Sequence, residues 1–184
     1  YRDVCRSLAG APRPLAPVDD DIGHHPIRVL GGLHYLALRD GVDAWRDPVG
    51  AVEAHRDWLA EFIRTRRVQT NEVQRCWALL PALLSLGAPR VELLELGPSA
   101  GLNLLLTRYR YRYENGGWGP ADAPLVLDGE ERAPVPEALL VRKVEVVRRR
   151  GVDLDPVDAT TEDARLLLRA FVWADQAERL ARLD

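Results

Sequence analysis

The stretch that most constrains the fold runs over residues 91–106, VELLELGPSAGLNLLL. Its first six residues form a short apolar run that can be buried on both faces, as a central strand of a parallel sheet requires. Small residues break the run at 97–101, and leucines at helical spacing follow them. The pattern predicts a central parallel strand over 91–96, a tight turn and a helix over 100–108.

The turn in this stretch, Glu95–Gly101 or ELGPSAG, fits two kinds of site. It satisfies the G-x-S-x-G pattern of a hydrolase nucleophile elbow, and it is a degenerate form of a glycine-rich nucleotide-binding loop. In the α/β-hydrolase order a histidine follows the serine, whereas every histidine of this chain precedes Ser99. A dinucleotide fingerprint expects a third glycine where Leu102 stands. These departures make a serine hydrolase the third hypothesis and disfavour an NAD site.

The composition is that of an ordered chain with a sizeable core. The 184 residues are 47% hydrophobic and carry a net charge of −3, so overall charge does not indicate a nucleic-acid partner. Two cysteines lack the spacing of a disulfide framework or a metal site, and no metal is expected. No long apolar run or signal peptide is present, so we expect a cytoplasmic protein with no membrane partner. The lack of methionine suggests part of a longer product.

The first 90 residues have mostly helical patterns. A short helix is expected over 1–9, a loop over 10–26, and longer helices begin at Pro26 and Pro48. His34 and His55 lie on the apolar faces of these helices and are interpreted as core histidines. The pattern predicts a helical N-terminal subdomain over 1–88 and a partial Rossmann-like domain over 89–184.

Polar residues crowd the segment 66–75, RRVQTNEVQR, just ahead of the helix that precedes the first strand. A structural interpretation makes Asn71 the helix cap with Gln74 three residues later, or makes Thr70 the cap. A functional interpretation places Gln69, Asn71 and Glu72 facing the turn after the strand. Both interpretations remain open at this point.

After the predicted helix, arginine and tyrosine alternate over residues 108–113, RYRYRY. A period of two predicts a strand with one aromatic and one basic face. Such a strand can stack bases and hold phosphates, but an amphipathic hairpin whose tyrosines pack inward is the preferred interpretation. Gly116 and Gly117 then turn the chain, and residues 108–136 are predicted to form a β insertion.

A second strand is predicted within residues 144–156, VEVVRRRGVDLDP, and it ends at Asp153. A carboxylate at that place can accept the ribose hydroxyls of a nucleotide cofactor. The arginines at 148–150 are interpreted as a solvated edge. Thr160 or Thr161 is then expected to cap a helix that runs through Phe171, with a further helix over 174–183.

Three blocks carry a family resemblance: RRVQTNEV at 66–73, VELLELGPSAGLNLLLTRYRYRY at 91–113, and the sequence from GVDLDP at 151 onward. They resemble an uncharacterised bacterial family of unknown function that is regarded as methyltransferase-like. The turn likewise resembles the first motif of class I methyltransferases that use S-adenosylmethionine, with Ser99 in place of the middle glycine. Thr107 stands where the family usually has an aspartate.

The resemblance implies an α/β fold in which a helical N-terminal part precedes an incomplete Rossmann-like, methyltransferase-type parallel sheet with a β-hairpin insertion. It also implies that S-adenosylmethionine is the cofactor. Glu95 would orient the cofactor's ammonium, the turn would approach its methionine moiety, and Asp153 would hold the ribose. The expected cofactor-binding residues are Glu95, Gly97, Ser99, Ala100, Gly101, Asn103 and Asp153.

The first functional hypothesis is therefore a methyltransferase of unknown substrate. The second is a non-catalytic binding module that uses the Rossmann-like half as a scaffold. About 30 residues follow Asp153, too few for the remaining strands of a full sheet, and this favours the second hypothesis for this chain.

Overall fold

The computed structural model describes residues 2–10 and 25–184. It confirms a mixed α/β fold with N-terminal helices, a small parallel sheet and a second, mixed sheet. The chain divides into two compact units. The first takes in residues 1–70 and 158–182 with Asp184, and the second takes in residues 71–157 with Leu183. The predicted loop at 10–26 falls largely outside the described residues.

The bounds of the elements follow the chain order. The α-helices of the described residues are α1 (Arg2–Gly10), α2 (His25–Asp40), α3 (Pro48–Ala54), α4 (Arg56–Thr65), α5 (Arg75–Ser85), α6 (Glu137–Leu140), α7 (Glu162–Ala170) and α8 (Ala177–Leu183). The strands are β1 (Arg90–Leu96), β2 (Arg110–Tyr113), β3 (Gly116–Trp118), β4 (Val126–Leu127) and β5 (Glu145–Val152), and a 3₁₀ helix spans Leu102–Arg108. None of the described helices is long and apolar enough to cross a membrane.

The first unit is helical, and its core lies between α2, α3 and α4. The helix predicted from Pro48 is broken at His55 into α3 and α4. No glycine or proline marks this break, so periodicity alone could not reveal it. Helix α7 packs on α2, where the Tyr35 hydroxyl donates a hydrogen bond to Asp163. Thr161 caps α7 by accepting a hydrogen bond from Ala164 N, and this confirms the predicted cap.

His34 is a core histidine, as its position on the apolar face of α2 predicts. Its ring is buried, and Nδ1 lies 3.2 Å from the carbonyl oxygen of Ala170 and 2.9 Å from that of Val172. Since both partners are acceptors, Nδ1 carries the proton. Burial lowers the pKa of His34 below its ordinary value, and the nearby charge of Arg169 acts in the same direction.

The lowered pKa of His34 predicts that acid destabilises the first unit. Above pH 6.5 the histidine is neutral in both the folded and the unfolded chain. As the pH falls below that value, the unfolded chain binds a proton that the folded chain resists, so stability decreases. Urea unfolding at several pH values should show this loss, and the loss should be smaller in His34→Gln. An equal loss in the variant would contradict the assignment.

The second unit contains the parallel sheet. Strands β1 and β5 pair in parallel, with Arg90 opposite Glu145 and Leu96 opposite Val152. In the described part of the chain β1 has no other strand neighbour, so the prediction of a central strand is wrong. The prediction of burial on both faces is also wrong, because Leu94 is 66% exposed and nothing among the described residues covers it.

The helix expected over 100–108 is shorter and is a 3₁₀ helix, so that prediction needs correction. Three of its carbonyl oxygens accept hydrogen bonds from tyrosine or arginine side chains. The donors are Tyr109 Oη to Leu102 O at 2.7 Å, Arg149 Nε to Leu104 O at 2.9 Å and Tyr111 Oη to Leu106 O at 2.6 Å. We infer that these donors compete with the N–H groups that an α-helix would bring to the same oxygens.

Strands β3, β2 and β4 form the second sheet, in that spatial order. The tyrosines of the alternating segment, Tyr109, Tyr111 and Tyr113, are buried in its core. This confirms the amphipathic interpretation, and it removes these rings from any stacking surface. Tyr111 is fully buried and is the largest such side chain in the described residues.

Candidate functional site

The candidate site lies at the carboxyl edge of the parallel sheet in the second unit. The glycine turn follows β1, and Asp153 follows β5. Because Leu96 and Val152 are paired, the turn and Asp153 begin side by side. Gly97 N extends the pairing by donating to Val152 O at 2.8 Å. Ligands of open α/β sheets bind at this edge.

The turn requires three residues in the left-handed backbone region: φ is 69° at Gly97, 54° at Ser99 and 75° at Gly101. Glycine adopts this conformation readily, whereas serine does so at a cost of about 1–2 kcal/mol. Ser99 is the one non-glycine residue with positive φ in the described part of the chain. Its neighbours therefore have to hold it in place.

Ser99 is held at each of its polar groups. Its N–H donates to Asp153 Oδ2 at 2.8 Å, and its carbonyl oxygen accepts from Val157 N at 3.1 Å. Its Oγ accepts a hydrogen bond from Asn71 Nδ2 at 2.7 Å. The side chain of Asn71 thus contacts the turn, as the functional interpretation predicts.

The interpretation of Asn71 or Thr70 as the helix cap in segment 66–75 is wrong. Helix α5 begins at Arg75, and its cap residue Gln74 makes no side-chain cap. Asn71 lies ahead of this cap position, and its Nδ2 donates to Ser99 Oγ in the turn. Glu72 accepts a hydrogen bond from Gln74 N through Oε1 at 3.1 Å. Gln69 belongs to the first unit, where its side chain is buried.

The carboxylate of Asp153 faces the turn. Oδ2 accepts from Ser99 N, and Oδ1 accepts from Asp155 N at 2.9 Å. The side chain is half-buried at the strand end, the place where a ribose acid is expected. Here it also fixes the backbone of the turn, a role that the sequence pattern does not reveal.

Glu95 is the penultimate residue of β1, two residues before Gly97, and is half-buried. Its Oε1 accepts a hydrogen bond from Asn103 Nδ2 at 2.9 Å. Its Oε2 is buried and has no hydrogen-bond partner among the described residues. Buried carboxylate oxygens are normally bonded, so this atom needs an explanation. A ligand cation, or a water molecule bound between ligand and carboxylate, would satisfy it.

The turn has open space beside Gly97 and one backbone N–H group that makes no hydrogen bond within the described residues. A Cβ atom added at Gly97 would meet no other atom within 4 Å. The backbone N–H groups of Gly97, Ser99 and Gly101 are bonded to Val152, Asp153 and Pro98. Ala100 N–H has no hydrogen-bond partner in the part of the chain described. The turn therefore offers a free donor at Ala100 beside the free acceptor of Glu95.

The hydrogen bonds that link Glu95 and Asn103 continue to Cys76, a residue whose role was not predicted from the sequence. The thiol of this α5 residue is fully buried and donates to Asn103 Oδ1 at 3.4 Å. Burial, followed by the charge of Glu95, raises the pKa of the Cys76 thiol to about 12. No motif marks this cysteine, since it reaches the turn only through the packing of α5 on the 3₁₀ helix.

The fold and site together define a mixed α/β protein in which a parallel strand, a glycine turn and an acid meet at one edge of a small sheet. The chain belongs to a bacterial family described as Uncharacterized protein conserved in bacteria (DUF2332), which it matches over residues 2–184. This confirms the family of unknown function that the sequence blocks indicated. No curated protein and no solved structure matches the chain.

Proposed function

We propose that this chain binds S-adenosylmethionine at the Gly97–Gly101 turn and is a methyltransferase of the class I type. The observation that carries the proposal is the unsatisfied buried oxygen of Glu95, which lies two residues before Gly97, where a turn with three left-handed positions begins. A glycine turn at a strand end lets a ligand approach the backbone, and a carboxylate beside it favours an ammonium group.

Each end of the ligand has a candidate partner in the second unit. The ammonium of the methionine moiety would be held by Glu95, directly or through water. Its carboxylate is suited to the free N–H of Ala100. The ribose hydroxyls would donate to the carboxylate of Asp153, which lies at the end of β5 and already accepts from Ser99 N in the turn.

Methyl transfer from S-adenosylmethionine needs little covalent assistance from protein side chains. When bound, the sulfonium cofactor supplies an already activated methyl group, so the protein's task is to align the nucleophile with it. The residues of the turn would bind and orient the cofactor. The substrate would have to approach from the open space beside Gly97.

A non-catalytic binding module is the second candidate. The exposure of the β1 side chains favours it, since Leu94 and Leu96 are 66% and 78% exposed on a parallel sheet that normally has both faces covered. A serine hydrolase has less support. Residues 71–157 contain no histidine, so the second unit provides Ser99 with no imidazole base.

Calorimetry with S-adenosylhomocysteine tests the proposal. We expect a dissociation constant in the micromolar range. A preformed turn leaves a moderate favourable binding free energy after the cost of ordering the ligand is subtracted. Asp153→Ala should weaken binding by about 1–3 kcal/mol, since it removes hydrogen bonds to a charged group. The matched control is Asp122→Ala, which removes an exposed carboxylate of the same unit. This variant should bind S-adenosylhomocysteine as wild type does.

The possible outcomes separate the candidates. If the wild-type chain shows no binding, the methyltransferase proposal fails and the binding module is favoured. If binding is unchanged in Asp153→Ala, only the ribose assignment is lost. Circular dichroism of each variant should be recorded, because Asp153 also holds Ser99 N.

A further inference from the structure

Three side chains beneath the turn form a chain of hydrogen bonds. The Cys76 thiol donates to Asn103 Oδ1 at 3.4 Å, and Asn103 Nδ2 donates to Glu95 Oε1 at 2.9 Å. The direction of this chain follows from chemistry. The Glu95 carboxylate accepts hydrogen bonds, so the amide nitrogen of Asn103 faces it. The amide oxygen then faces Cys76, whose thiol donates to it.

The Asn103 amide therefore fixes the Glu95 carboxylate. A carboxylate at the end of a strand can rotate about its last torsion, because that torsion has broad preferences. The bond from Asn103 holds Oε1 and leaves Oε2 as the one oxygen of Glu95 without a donor. Asn103 is itself held in the first turn of the 3₁₀ helix, directly after Gly101.

A purely structural polar network would be expected to satisfy all its members. Buried networks that leave an acceptor unpaired are less favourable than an apolar core of the same shape. The unpaired Oε2 is the single unsatisfied side-chain atom of this network, and it belongs to Glu95, two residues before the turn begins. The arrangement is thus suited to a positively charged group that arrives with a ligand.

We propose that Asn103 is a positioning residue that orients Glu95 to bind the ammonium group of an amino-acid moiety in the ligand. Asn103 does not touch the ligand and acts through Glu95, while the Cys76 thiol supports the Asn103 amide by donating to its oxygen. The inference rests on the proposed function. It adds that affinity at this site depends on an ammonium group in addition to the nucleoside.

Two ligands that differ in this group provide the test. S-adenosylhomocysteine carries the amino-acid moiety, and methylthioadenosine has the same nucleoside thioether without it. In Asn103→Ala we expect about tenfold weaker binding of S-adenosylhomocysteine, since about 1.4 kcal/mol of interaction with a charged group is lost. Binding of methylthioadenosine should stay unchanged. Asn115→Ala is the control, because Asn115 donates to Val135 O on the exposed surface.

A second pair of variants tests the role of the thiol. Cys76→Ser keeps a donor to Asn103 Oδ1, whereas Cys76→Ala removes it with little change of volume. We expect Cys76→Ala to weaken S-adenosylhomocysteine binding selectively and Cys76→Ser to retain more of it. Thermal unfolding of all variants shows whether the second unit stays folded, and the Cys76 pair keeps the test decisive if Asn103→Ala does not fold.

The outcomes distinguish this inference from the proposed function. If wild type binds neither ligand, the proposed function fails and the role of Asn103 fails with it. If wild type binds both ligands and Asn103→Ala weakens both equally, the site stands but Asn103 is only structural. Selective loss of S-adenosylhomocysteine binding supports the positioning role.

Discussion

Gly119→Ala is expected to lower the free energy of unfolding of the second unit by about 3 kcal/mol or more. A Cβ atom at this position would lie 2.1 Å from the carbonyl oxygen of Tyr109, which is a backbone atom and cannot rotate away. Gly119 also has φ at +93°, where side chains are strained. Its carbonyl oxygen is held by Arg110 Nη1 at 2.7 Å, so the local backbone has little freedom to relax.

Gly87→Ala is the matched control for this substitution. Gly87 also has positive φ, at +67°, but its nearest atom to an added Cβ is a side-chain nitrogen of Arg142 at 3.6 Å. The control measures the cost of the backbone conformation alone, about 1–2 kcal/mol. Urea unfolding of both variants should show the larger loss for Gly119→Ala. Equal losses would mean that the clash with Tyr109 O relaxes freely.

Tyr111→Ala is expected to cost about 3–5 kcal/mol, the usual range when a large aromatic side chain is removed from a core. The side chain of Tyr111 is completely buried, with an exposed fraction of 0%. Its ring packs edge-on to Trp118 and stacks with Tyr113 at centroid distances of 6.0 and 6.4 Å. Thermal or urea unfolding monitored by tryptophan fluorescence measures the loss.

Tyr111→Phe separates the hydroxyl from the ring. It keeps the packing and leaves the carbonyl oxygen of Leu106 without its donor, a loss of about 1–3 kcal/mol. If this variant loses as much stability as Tyr111→Ala, the hydrogen bond would dominate and the packing argument would be wrong. The far-ultraviolet spectrum of Tyr111→Phe should also show whether the 3₁₀ helix changes when one competing donor is removed.

Much of the fold could be predicted because local patterns were strong. The alternation of tyrosine and arginine over 108–113 predicts a strand with buried rings, and the apolar run before Gly97 predicts a strand that ends in a turn. Thr161 is recognisable as a cap from its own residue type. In each case the information lies within a few residues, where period and propensity act directly.

What could not be predicted depends on residues that are distant in sequence. Asn71 was as suitable for a helix cap as for the turn, and only the approach of Ser99 decides between them. Arg149 is one of the donors to which we attribute the 3₁₀ form of the helix, and it is 45 positions from its acceptor Leu104. Side chains that bind carbonyl oxygens across the fold override local helix propensity, and no short window contains them.

At the carboxyl edge of the parallel sheet, one feature was predictable and another was not. Asp153 was placed correctly at the end of a strand, because a β-branched run leads directly into it. Its bond to Ser99 N was not predictable, since it requires the register in which Leu96 faces Val152. Thr107 gives a similar case, because its Oγ1 accepts a hydrogen bond from Arg149 Nη2 at 2.8 Å.

The second unit contains three of the chain's five tyrosines, and their burial gives it a strong optical signal. Burial raises the pKa of Tyr109, Tyr111 and Tyr113 well above the ordinary value of a phenol. These phenols therefore stay un-ionised in alkaline solution while they remain in the core, and they ionise once the core opens. The near-ultraviolet absorbance of phenolate would then report the opening of this sheet in real time, without any label, in a stopped-flow jump to high pH.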